Sequence, residues 1–168
     1  MLFCMWDDVG DHGGIDTAEI CLNGHVTNDH ATSHPEVNRK FCEECGAQTV
    51  QQCPRCGYNI FGSPVNAYGG FAAPTFCGAC GKPFPWTETR IKAAKAMADE
   101  LQELSEADRI MLKSSIDDIA ANTPMTEVAV VRVKKLISKL AKDSADALRR
   151  LVVDVASEAA KKMMTGGS

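Results

Sequence analysis

The chain has 168 residues, of which 45% are apolar, 24% charged and 6% aromatic, and its formal net charge is −4. That length holds one ordinary domain, or a small one beside a modest helical one, and scarce aromatics leave any core to Ala, Val, Leu, Ile and Met. No segment approaches the 18 continuous apolar residues of a spanning helix, and residues 1–88 carry ten acids against four bases, the wrong sign for a phosphate backbone.

Residues 1–20 have no regular period and are broken by Gly10, Gly13 and Gly14. They are expected to form an N-terminal strand and linker. Cys4 has no nearby cysteine and reads as a small buried apolar residue, and His12 as a bystander.

Residues 21–86 hold most of the glycines and seven of the eight cysteines. Four half-sites follow in order: Cys21-Leu-Asn-Gly-His25, Cys42-Glu-Glu-Cys45-Gly, Cys53-Pro-Arg-Cys56-Gly and Cys77-Gly-Ala-Cys80-Gly. Two ligands separated by two residues turn toward one ion, and the glycine that follows takes the positive φ that closes the knuckle. Sixteen residues separate His25 from Cys42, seven separate Cys45 from Cys53, and twenty separate Cys56 from Cys77. Sequential pairing follows. Cys21, His25, Cys42 and Cys45 hold one zinc, and Cys53, Cys56, Cys77 and Cys80 hold the other. A cross-braced pairing, first half-site with third and second with fourth, is the alternative, as are His30 or His34 in place of His25. Strict Cys-x2-Cys pairs, without a signal peptide's apolar run, favour metal over disulfides and the reducing cytosol over a secreted setting.

Composition changes at Thr87, after which there is one proline and no glycine before Gly166. A helix is expected from Thr87, acting as its cap, to about Leu104, with Ile91, Ala94, Ala98, Leu101 and Leu104 on one face. Ser105 followed by Asp108 resembles a capping box and opens a second helix to about Ala120, with Ile110, Met111, Ile116 and Ile119 partly on one side. Thr123-Pro124 is a favoured helix start. A third helix is expected over 125–142, with Val130, Val133, Leu136, Ile137 and Leu140 as its apolar stripe. Arg132, Lys135, Lys139 and Lys142 form a basic stripe on another face. The last helix is expected over 144–164, with Leu148, Leu151, Val152, Val155, Ala159 and Met163 aligned. It either continues the third helix or starts afresh at Asp143-Ser144. The fold class is therefore small α+β: a double zinc ribbon at 21–86 and a helical hairpin or bundle at 87–165.

At its knuckles the chain resembles the double zinc-ribbon class, and more closely an uncharacterised bacterial family in which such a ribbon precedes a helical tail. Phe41-Cys42-Glu-Glu-Cys45-Gly46, the other knuckles, Pro83-Phe84-Pro85-Trp86-Thr87 at the exit, and the segments LSEADR and TPMTEVAVVRVKKL carry the likeness. The resemblance implies fold and metal and supplies no activity.

Both sites count to four protein ligands, whereas a catalytic zinc keeps an open position. No nucleophile–base pair or phosphate-cradling loop accompanies them; Tyr68-Gly69-Gly70-Phe71 reads as a hairpin turn. A non-enzymatic adaptor is expected, associating through its C-terminal helices with a protein partner or a second copy. Nucleic-acid binding is the alternative, with Phe61, Tyr68, Phe71 and Phe76 stacking on bases. Peripheral membrane association through the last helix, beside Arg149, Arg150, Lys161 and Lys162, is another.

Overall fold

The computed structural model describes residues 14–67 and 69–166. Expectations for Cys4, His12 and Tyr68 fall outside these residues. The chain divides into two compact units, one ending at Pro85 and the other starting at Trp86.

The first unit contains five short strands: β1 (Ile15–Thr17), β2 (Glu19–Cys21), β3 (Val26–Asn28), β4 (Thr49–Val50) and β5 (Phe61–Pro64). β2 lies between β3 and β4 in one antiparallel sheet, and β1 pairs with β5 in another. All three residues of β2 are buried, including Glu19. Its carboxylate accepts from the Thr27 hydroxyl at 2.8 Å, the Arg39 amide at 2.8 Å and the Gln51 side-chain amide at 3.2 Å. A buried polar group needs such partners to avoid a desolvation penalty. Gly62 in β5 packs so closely that a Cβ would collide with the Asp29 carbonyl oxygen.

The second unit is helical: α1 (Pro85–Glu100), α2 (Glu106–Ala121), α3 (Thr126–Ile137), α4 (Lys142–Val155) and α5 (Glu158–Thr165). Ala94, Ala98, Leu112, Ile116, Ile119, Val133, Leu148 and Val152 form the centre of its core. α2 and α3 run antiparallel: Thr126 bonds to the Asp118 carbonyl at one end, and Lys139 reaches Asp108 at the other.

Several boundaries differ from expectation. α1 starts two residues early, at Pro85, where a proline lacking an N–H costs nothing. Thr87 lies inside the helix and is buried. α1 ends at Glu100. Leu101 and Leu104 are buried in the turn that follows, and the Arg109 side chain caps the Leu101 carbonyl at 3.1 Å. Ser105 does cap α2, accepting from the Asp108 amide at 3.2 Å. Ile110 and Met111 are exposed, at 63% and 41%, because Leu112, Ser115, Ile116 and Ile119 occupy the inward face. Thr123 caps the turn before α3, its hydroxyl accepting from the Met125 amide at 3.1 Å.

The expected long helices are broken. α3 stops at Ile137, and α4 starts at Lys142 after an extended Ala141. A second break falls at Ala156-Ser157, where Ala156 is extended and the Ser157 hydroxyl accepts from the Ala160 amide at 3.3 Å. This break rotates the inward face, so that Ala160 and Met164 are buried and Ala159 is exposed. The stripes of α3 and α4 pack inside the unit's own core. Among the described residues, no helix is long and apolar enough to cross a membrane.

Candidate metal centres

Each Cys-x2-Cys knuckle is built by the same hydrogen bonds. The first cysteine donates its amide to the residue five positions on: Cys42 to Ala47 at 2.8 Å, Cys53 to Tyr58 at 2.8 Å and Cys77 to Lys82 at 2.9 Å. The glycine after the second cysteine donates back to the first: Gly46 to Cys42, Gly57 to Cys53 and Gly81 to Cys77. These three glycines have φ of 71°, 74° and 67°, which side chains with a Cβ adopt at a cost. The bridges Phe41↔Gln48, Gln52↔Asn59 and Phe76↔Pro83 close the hairpins around them. The Cys21/His25 half-site is a tighter variant at the end of β2, with Gly24 at φ 91°.

The fold brings the half-sites together in sequential pairs. Cys21, His25, Cys42 and Cys45 form one group, and Cys53, Cys56, Cys77 and Cys80 the other, with the ligand atoms in each all within 4.8 Å of one another. The edges are informative. Sγ–Sγ is 3.7 Å for Cys21–Cys45, 3.7 Å for Cys56–Cys77 and 3.9 Å for Cys53–Cys80, and Cys42 Sγ lies 3.5 Å from His25 Nδ1. A tetrahedral ion about 2.3 Å from each sulfur requires an edge of about 3.8 Å. A disulfide requires about 2.05 Å. Both groups therefore fit a four-coordinate metal ion.

Burial is asymmetric. Cys21, Cys42, Cys53 and Cys77 are buried, while Cys45 and Cys56 are exposed. The thiols also titrate apart. The Ala47 amide and the Asn23 side chain hold the Cys45 thiol down to about 6. Burial pushes Cys21 up. The Tyr58 amide favours the Cys56 thiolate, but desolvation and three neighbouring thiols push it up to about 12. Burial opposes ionisation of Cys77, yet amide bonds from Cys80 and Ala79 hold it down to about 7. Crowded thiolates cannot all ionise unaided. A cation among them relieves the repulsion and releases protons as it binds.

His30 and His34 lie outside the clusters. His30 is buried, with Nε2 2.9 Å from the Ala67 carbonyl, and His34 pairs with Glu36 at 3.2 Å. Their neighbour Asp16 has no sequence signature, because an isolated aspartate in a weakly patterned segment carries no spacing signal. Its buried carboxylate accepts amides from Thr17, Thr32 and Ser33 at 2.6, 2.9 and 3.0 Å.

A model of one bacterial protein family matches residues 15–164, spanning both units. The chain belongs to the DUF2321 family, described as uncharacterized proteins conserved in bacteria. No curated protein and no solved structure matches it. In this DUF2321 chain the expected aromatic platform is partly used within the first unit. Phe61 and Phe76 line a hollow of about 180 Å³ with Tyr58, Ile60 and Phe84. Of the basic stripe, Lys139 is paired with Asp108 at 2.8 Å. Arg132 and Lys135 are exposed on α3, beside Val128 and Val131.

Proposed function

We propose that the first unit binds two structural zinc ions and that the chain acts as a non-enzymatic adaptor. The observation that carries this reading is the pair of closed four-ligand groups with tetrahedral edge lengths. Zinc has no geometric preference of its own and takes thiolate and imidazole in such closed sites. A site with four protein ligands has no position left for substrate or water, so the ions stabilise the fold.

Association runs through the helical unit. Met125, Val128 and Val131 are 44%, 42% and 66% exposed on or just before α3, next to Arg132 and Lys135. The α3 and α4 stripes are already consumed in the core, so a partner meets this outer surface instead. The test is affinity capture with the full zinc-loaded chain and its Val128→Glu/Val131→Glu variant. Helical circular dichroism unchanged with the captured protein lost supports the reading. Identical capture by both chains contradicts it.

A further inference from the structure

The two metal groups differ in charge. Three thiolates around a divalent ion leave about −1, and four leave about −2. The residues between the paired cysteines differ too: Glu43 and Glu44 in the first group's knuckle, Pro54-Arg55 and Gly78-Ala79 in the second group's. A carboxylate beside a thiolate-rich site is repelled by it, and unlike charges are attracted. The acids therefore stand where simple repulsion disfavours them, unless something in the first group needs a carboxylate.

His25 supplies that need. Its Nδ1 faces the group, 3.5 Å from Cys42 Sγ. Its Nε2 points away, 3.8 Å from Glu44 Oε2. A neutral imidazole ligating through Nδ1 carries its proton on Nε2. Glu43 is engaged elsewhere, accepting from Arg39 Nε at 3.0 Å, which leaves Glu44 as the carboxylate at that ring edge. We propose that Glu44 is a positioning residue that fixes His25 as an Nδ1 ligand of the first metal site.

The separation of 3.8 Å is longer than a hydrogen bond. A metal on Nδ1 polarises the Nε2 proton, which strengthens its attraction to the Glu44 carboxylate. Outer partners of histidine ligands ordinarily change metal affinity by about 10–100-fold. This pair is partly exposed, His25 at 38% and Glu44 at 72% of side-chain area, so solvent screening reduces the effect to roughly 3–10-fold. The same carboxylate is unfavourable once the imidazole is replaced by a fourth thiolate.

The inference rests on the zinc reading above, and its test keeps the two separate. Zinc competition with a chelator is measured on the full chain, following the Gly46 amide for the first site and the Gly57 and Gly81 amides for the second. Nitrogen NMR of the wild-type ring should show a metal-bound Nδ1 and a protonated Nε2. Glu44→Gln should weaken the first site by roughly 3–10-fold, less so at high salt, and leave the second unchanged. In a His25→Cys background, the same Glu44→Gln change should strengthen the first site. A purely structural role for Glu44 has no reason to reverse sign. Unchanged affinity in Glu44→Gln, Nε2 ligation, or weakening in both backgrounds overturns the assignment of Glu44. A wild-type chain with no zinc at the first site overturns the function reading itself.

Discussion

Asp16 shows how much one buried side chain contributes to the first unit. Burial opposes its charge, but the Ser33 hydroxyl and the amides of Thr32, Thr17 and Ser33 hold its carboxyl at about 2, against an ordinary 3.8. A depressed folded-state value contributes stability that is complete above the unfolded value, hence above about pH 4. That contribution is lost as pH falls toward 2, and amounts to about 2 kcal/mol at neutral pH. Asp16→Asn should therefore lower the stability of zinc-loaded protein at pH 7 by about that amount, read by denaturant unfolding; an unchanged midpoint contradicts it. The clustered cysteines and His25 are legible because holding a metal ion imposes a spacing on its ligands. Asp16, Glu19 and Glu44 are not, because their partners come from distant turns: Thr32 and Ser33 for Asp16, Gln51 for Glu19, and the ring of His25 for Glu44.

Among the elements, the helix breaks carry the weakest sequence signals. Apolar periodicity runs through 126–164 with no Gly or Pro to interrupt it. The signal at the second break is a single serine, and a serine also occurs inside helices: Ser115 is buried in α2 with its hydroxyl bonded to the Met111 carbonyl. What separates the two is the backbone group each meets: Ser115 donates to a carbonyl, whereas Ser157 accepts from the Ala160 amide. Ser157→Ala should destabilise the helical unit by about 1 kcal/mol, measured by thermal unfolding, whereas a surface serine such as Ser114 should tolerate alanine. Equal effects at the two positions contradict the capping role. Start signals with several cues were readable, as at Ser105, where the cap, the acid at Asp108 and the preceding leucines agree.

At the scale of the whole molecule, the two units differ in what holds them. The helical unit has a continuous core from Ala94 to Met164. The first unit has strands of two to four residues and isolated bridges around its knuckles. Such a segment cannot bury enough apolar surface alone, and metal binding supplies folding free energy. The composition switch at Thr87 made this division legible, although the helix itself begins at Pro85. Cys42→Ser and Cys77→Ser should each unfold the first unit and leave most of the far-ultraviolet helical signal. Loss of all helix in both variants contradicts separate stabilisation.

Native mass spectrometry of fresh, reduced protein, paired with X-ray absorption at the zinc edge, decides whether the two groups are zinc sites of different composition. Two zinc ions per chain are predicted, coordinated over the two sites by seven sulfurs and one nitrogen, with zinc–sulfur distances of about 2.3 Å. One ion or none, a mass lowered by disulfide formation, or oxygen among the coordinating atoms would rule out two such sites.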